Sequence, residues 1–459
     1  MNKNSSASSV RRLVIRSSVW VFGGQIGGQV LRLASNLIMT RLLVPEMFGV
    51  MAVANTLIVG LQLCSYLGVH HNIIQSTRGD ERTFLDTAWG IQIVRGGLLW
   101  LIALLLSAGF YFANQMGWIP PESAYAHPDL PAIIAVLSFT ALISGFESTK
   151  LASASRHMAL GRLTIVELGS QVLGLATMVT FAMIEKSIWA LVVGTLVTAA
   201  SKMIVSHLFM PGRNNRFAWE ARAFWEVFGF GKWILLTTIM GFFVRNSDKL
   251  ILAGLITPQT LGIYSIAIFM TNALQDILSR WASAVTLPVL SQAHRERPEE
   301  LARVYYKFRL LFDLPTLFIS GFLLNAGHVI IELLYDSRYV SAGPMIEILA
   351  LWFLGARTIV AEQCYLALGK PKLAVPMNIL QLIALFALMI PAYHYFGMDG
   401  ALYVVVFSII LTLPLTWYFM KQYGLLNWKR ELMTLPAFAI GYICSLIFVA
   451  AYEAIKAGI

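Results

Sequence analysis

The stretch QIGGQVLRLASN places Gln25, Gln29, Arg32 and Asn36 at spacings of four, three and four. Those spacings line one face of a 3.6-residue helix and leave Leu31, Leu33, Leu37 and Ile38 for the other. A second polar set follows far downstream: Thr238, Arg245, Asp248 and Lys249, with Arg245 and Asp248 placed at i and i+3, where they can meet. Two further stripes hold Asn55, Gln62 and Tyr66, and Asn272, Gln275, Asp276, Ser279 and Arg280. A guanidinium grips phosphate oxygens through its bidentate fork, and a low local dielectric strengthens that attraction. Carboxamides offer exchangeable hydrogen bonds to hydroxyls. The carboxylates of Asp248 and Asp276 suit a coupling proton or sodium ion. Bases outnumber acids along these stripes, which favours an anionic ligand. The Arg245–Asp248 pair also reads as a neutralised packing contact, and the glutamines as interhelical glue.

The elements that carry these groups are apolar: 58% of the 459 residues are hydrophobic and 13% charged. Apolar runs of 18 residues or more recur from end to end, each able to cross about 30 Å of hydrocarbon as a helix. Barrel strands would alternate polar and apolar residues over about ten positions, and this chain does not. The runs predict thirteen spans, near 17–43, 47–69, 87–112, 131–149, 163–184, 188–209, 227–254, 259–284, 310–334, 344–368, 374–394, 401–420 and 432–454. An arginine inside such a span costs about 2.5–3.5 kcal/mol on insertion scales, so Arg32 and Arg245 each need a reason to be kept.

With the N-terminus in the cytoplasm, the connections and span ends on that side carry 24 of the 34 Lys and Arg. That asymmetry follows the positive-inside rule and explains the net charge of +10 without nucleic-acid binding. Residues 1–16 read as a retained cytoplasmic basic tail. Cys64, Cys364 and Cys444 lie far apart and suggest neither disulfides nor a metal site.

The chain also repeats itself. Shifting it by 213 positions lays 18–53 over 231–266, with nine of 36 pairs identical, among them Trp20 with Trp233, Gly28 with Gly241, Arg32 with Arg245 and Pro45 with Pro258. Gln62 falls on Gln275 at the same offset. A shift of six spans keeps orientation, which makes these parallel repeats of the kind that hold a transported ligand between two halves. The expected organisation is an all-α integral membrane fold. It has an N-lobe at 17–209, a cytoplasmic linker at 210–226, a C-lobe at 227–420 and an additional helix at 432–454.

The segment FGFGKWILLTTIMGFFVRNSDKLILAGLITPQTLGIYSIA (228–267), with RLLVPEMFGVMAVA (41–54), SIWALVVGTL (187–196) and YLALGKPKLAV (365–375), resembles bacterial polysaccharide transporters, the lipid-linked oligosaccharide flippases. The resemblance runs from about residue 13 to 433. It implies two six-helix lobes around a cationic cavity in the inner membrane, no cofactor, and alternating access. The implied substrate is an oligosaccharide on undecaprenyl pyrophosphate, with membrane lipids and a polysaccharide polymerase as further partners. The family's Arg-Asn-x-Asp pattern falls on Arg245, Asn246 and Asp248, while its arginine-rich turn is only partly kept as Arg156, His157 and Arg162. On that reading Arg32 and Arg245 face the diphosphate, with Lys249 and Arg280 adding to the positive charge of the substrate-binding cavity. Gln25, Gln29, Asn36, Gln62 and Gln275 face the sugars. Rival readings are an ion-coupled multidrug exporter, which predicts acidic cavity walls, and a membrane glycosyltransferase or polymerase, which needs a larger extramembrane loop than 114–131.

Overall fold

The computed structural model describes residues 3–355 and 357–458, and at 3–19, 21, 22, 230, 233, 281 and 284 its description is of the backbone alone. The side chains of the basic tail at 1–16, and Trp233 of the repeat, therefore lie outside the described residues. Among the described residues every regular element is helical. Among these described residues nine helices are long and apolar enough to cross a membrane, or eleven if two bent pairs each count as one span. One of the nine, Pro371–Gln422, contains two of the expected spans. It is interrupted at Gly397, whose φ of 63° lies in the left-handed region that an L side chain resists. Backbone polar groups have no water to turn to in hydrocarbon, so helices that bond internally are the consistent outcome. Pro45 and Pro258, related by the 213-residue offset, each open a helix, where the missing N–H costs nothing.

The chain divides into two compact units, one of residues 1–242 with 253–259, the other of 243–252 with 260–459. In the first, helix Lys3–Leu42 packs on helix Leu160–Ile184, which in turn packs on Trp189–Leu208. The first of these contacts depends on Gly24: a Cβ there would lie 2.3 Å from Thr164 Cγ2, so a larger residue forces the helices apart. Polar connections close one end of this unit. Arg156 donates from Nη1 to the carbonyls of Ile73, Ile74 and Ser76, at 2.9, 2.9 and 2.7 Å, neutralising the last carbonyls of the short helix Val69–Gln75. Its Nε reaches Asp80 at 3.0 Å. The partly kept arginine-rich turn thus has a positioning role at Arg156.

The segment 211–220 is held against the same surface. Asn215 accepts from Ser148 Oγ at 2.9 Å and from the Thr149 amide at 3.1 Å. Lys150 Nζ donates to Asn214 at 2.7 Å, and the Arg216 amide to Asp86 at 3.0 Å. Arg78 bridges Glu81 at 2.7 Å and Glu220 at 2.8 Å. Those bonds hold the Glu220 carboxyl below its ordinary value, and hold the Arg78 guanidinium above its own.

The second unit is built on helix Leu301–Leu334, which packs on Ala342–Ala350 and on the last helix, Pro436–Gly458. Small residues make the latter contact close: a Cβ on Gly441 would sit 2.1 Å from the Phe318 carbonyl. Its interior holds a buried group of four charges. Arg309 donates to Asp313 at 2.9 Å and to Glu431 at 3.0 Å, and Arg357 Nε to Asp313 at 3.2 Å. Tyr305, Tyr306, Trp417 and Thr434 complete the shell. Two cations and two anions leave it neutral, and every charged member is under a tenth exposed.

Candidate cavity residues and family

Arg32 lies on the first helix, where its Nε and Nη2 both donate to Gln29 Oε1, one turn earlier. Two neighbours of the expected stripe are thereby brought together. Gln25, Gly28 and Arg32 line a cleft against helix Leu160–Ile184, which contributes Thr164, Glu167 and Gln171. Gly28 keeps this wall low: a Cβ there would touch Arg32 Nη1 at 3.7 Å and Gln171 Oε1 at 3.8 Å. Gln171 Oε1 is buried without a hydrogen-bond partner, and so offers an acceptor to a polar visitor. Arg32 itself is exposed, and among the described residues it forms no ion pair within 4.0 Å.

Helix Lys3–Leu42 carries no acidic residue of its own to meet Arg32. The fold supplies Glu167 from a neighbouring helix. Glu167 and Gln171 were missed by sequence reasoning, although Thr164, Glu167 and Gln171 at i, i+3 and i+7 form a polar stripe of their own. Asn36 and Gln62 are half-buried in the same unit, and neither is among the residues lining this cleft.

In the second unit the expected Arg245–Asp248 contact does not form. Asp248 is buried and accepts from the Tyr264 hydroxyl. Arg245 instead points to the next helix, its Nη1 3.8 Å from Asp276 Oδ1, with the two side chains 69% and 42% exposed. Successive residues one turn apart take different partners here because the buried tyrosine satisfies the carboxylate that water cannot reach. Glu362, on helix Thr358–Ala367, lies near enough to Arg245 to interact electrostatically. Gln275 and Lys249 are half-buried, and Arg280 is exposed. Neither Lys249 nor Arg280 forms an ion pair among the described residues.

These positions reduce the basic surplus read from the stripes. Each of the repeated arginines has a carboxylate in its neighbourhood, Glu167 for Arg32 and Asp276 for Arg245. The intramembrane arginines also divide into two classes. Arg309 and Arg357 are locked in the neutral buried group, whereas Arg32 and Arg245 are exposed, the first held by the Gln29 amide and the second by Asp276. No group of three or more His, Cys, Asp or Glu side chains that could hold a metal ion occurs among the described residues.

Residues 38–344 match the family model described as "Polysaccharide biosynthesis protein". The chain belongs to that family. Over 346 residues it is 21% identical to the succinoglycan biosynthesis transport protein ExoT of Rhizobium meliloti (strain 1021), a match covering 74% of this chain. The match spans 66% of that relative's length, just under two thirds. Among solved structures, the lipid II flippase MurJ in its inward closed conformation matches with a TM-score of 0.68 at 11% identity, covering 96% of this chain and 99% of MurJ. An inward-facing multidrug resistance MATE transporter of the MOP superfamily matches with a TM-score of 0.62 at 13% identity, covering 93% and 96%. At such identities the likeness shows a shared fold. This member of the polysaccharide biosynthesis family is therefore a multi-pass helical membrane protein that shares its fold with MurJ and the MATE transporter. Its relatives are transporters and flippases rather than enzymes.

Proposed function

We propose that the chain is a flippase that moves oligosaccharide units carried on undecaprenyl pyrophosphate from the cytoplasmic to the periplasmic leaflet of the inner membrane, for surface polysaccharide assembly. Arg32 and Arg245 hold the diphosphate. Gln25, Gln29, Asn36, Gln62 and Gln275 give exchangeable hydrogen bonds to sugar hydroxyls, with Lys249 and Arg280 adding positive potential. The N-terminus is cytoplasmic on this reading, and the polyprenyl tail stays in lipid. A polymerase on the periplasmic side consumes the product.

The observation that carries the reading is the contrast between the two classes of arginine. A solvent-exposed ion pair is worth about 0–1 kcal/mol, so Arg245 can trade Asp276 for a phosphate at little cost. Arg32 is bound only through a neutral amide, and an anion adds to the same donors a Coulombic attraction and a bidentate geometry that the amide lacks. Modest affinity is what a flippase needs, since a carrier must release. Asp276 is the better placed carboxylate for a coupling proton or sodium ion, because Asp248 is buried against Tyr264.

The test is complementation of a strain lacking the chromosomal copy. Arg32→Ala and Arg245→Ala should each abolish surface polymer at normal membrane abundance, and Arg→Lys should restore only part of it, because a point charge loses the fork. Full polymer production by both alanine variants would refute the assignment. The carboxylates Glu167, Asp276 and Glu362 near the arginines favour a second reading, an exporter of organic cations. That reading predicts drug sensitivity in the deletion strain with surface polymer intact.

A further inference from the structure

Arg95 belongs to none of the repeated stripes, yet it is the more unusual charge. It lies 13 residues into helix Arg82–Gln115, about 20 Å along its axis and inside the apolar span. Among the described residues it forms neither a hydrogen bond nor an ion pair. Its Nε is buried with no acceptor, and one turn earlier Gln92 Oε1 is buried with no donor. Its guanidinium carbon stands over the Tyr66 ring, 5.8 Å from the centre. Tyr66 in turn packs edge-on against His71 at 6.1 Å.

The position is also fixed. The adjoining Gly96 lies so close to the helical segment 130–145 that a Cβ would fall 2.7 Å from the Ala141 carbonyl. Arg95 therefore cannot swing far with its helix to find a partner. A ring face attracts a guanidinium but does not discharge it, and water satisfies its N–H groups without neutralising it. An orphaned cation, an orphaned carboxamide whose ends interchange by rotation, and an aromatic backing together describe a half-built anion site. None of these residues lines the Arg32 cleft, whose walls come from the first helix and from Leu160–Ile184.

We propose that Arg95, backed by Tyr66 and flanked by Gln92, is a second binding point for a phosphate or diphosphate group, independent of the repeated arginines. The planar fork takes two oxygens, and the Gln92 carboxamide turns its NH2 to a third. The phosphate comes either from an anionic bilayer lipid or from the diphosphate of a transported lipid, and the two share this chemistry. The inference does not rest on the assignment of Arg32 and Arg245.

The test uses the purified full chain in phosphatidylcholine nanodiscs, titrated calorimetrically with inorganic pyrophosphate. A binding component should persist in the Arg32→Gln/Arg245→Gln double variant and weaken by about tenfold or more in Arg95→Gln. Arg95→Lys preserves the charge and guards against misfolding; its binding should be weaker than wild type by about threefold or more, because the fork is lost. Wild-type affinity in Arg95→Gln or Arg95→Lys, or loss of all binding in the Arg32/Arg245 double variant, overturns the proposal. A second arm replaces part of the phosphatidylcholine with phosphatidylglycerol. Competition that requires Arg95 supports the site with a bilayer phospholipid as its occupant. Arg95-dependent binding without competition supports it with the transported diphosphate.

Discussion

Removal of Arg309 puts the architecture of the second unit to a quantitative test. Its guanidinium meets Asp313 at 2.9 Å and Glu431 at 3.0 Å, with 4% and 3% of the paired side chains exposed. Arg309→Ala leaves Arg357 alone against two buried carboxylates, a net charge of −1 in the interior. Breaking a buried pair from one side costs about 3–5 kcal/mol, chiefly because the remaining charge is stranded. For a unit of roughly 200 residues each kcal/mol lowers Tm by about 2–4 °C, so a loss of about 6–20 °C is expected. The double change Arg309→Met/Asp313→Leu leaves one Arg357–Glu431 pair and restores neutrality. It should therefore recover most of the loss, a coupling that a double-mutant cycle measures directly. Differential scanning fluorimetry of the detergent-solubilised chain reads all three. An Arg309→Ala melt within about 2 °C of wild type, or a double variant worse than the single, would show that the four charges do not act as one neutral group.

Other consequences follow from the same geometry. Gly24→Val should cost about 1–3 kcal/mol by overpacking against Thr164, and Thr164→Ala in the same chain should return part of that in a thermal melt. Gly441→Leu should loosen the last helix from Leu301–Leu334 and raise its amide exchange, leaving helix Lys3–Leu42 unaffected. The lowered Glu220 carboxyl contributes to holding segment 211–220 above the ordinary carboxylate range, and that contribution is lost as pH falls through its depressed value. Hydrogen exchange at 211–220, corrected for intrinsic rate, should therefore rise on acidification in wild type and already be high at pH 7 in Arg78→Gln.

Much of the fold was legible because it is written locally. Apolar run length is what a bilayer constrains, and the helix-opening prolines Pro45 and Pro258 sit where the 213-residue repeat puts them. The Gln29–Arg32 contact was legible for the same reason, as an i, i+3 neighbour. Local spacing misled at Arg245 and Asp248, where Tyr264, 16 residues from the aspartate, takes one partner and Asp276 the other. Of the buried group only Arg309 and Asp313, an i, i+4 pair, were legible: Arg357 reaches Asp313 across 44 residues and Arg309 reaches Glu431 across 122, with no periodicity to announce either. Glu167 lies between. Its stripe is visible on its own helix, but only packing through Gly24 brings it opposite Arg32.

The most direct measurement is flipping of a fluorescent undecaprenyl-pyrophosphate oligosaccharide in proteoliposomes containing the purified chain. Leaflet position is read by a membrane-impermeant quencher. Two charge-assisted contacts at about 1.5–3 kcal/mol each predict that Arg32→Ala/Arg245→Ala slows translocation by more than about a hundredfold, while Arg309→Met/Asp313→Leu flips at near the wild-type rate. Wild-type flipping by the Arg32/Arg245 double variant, in vesicles with matched protein content, would contradict the central claim.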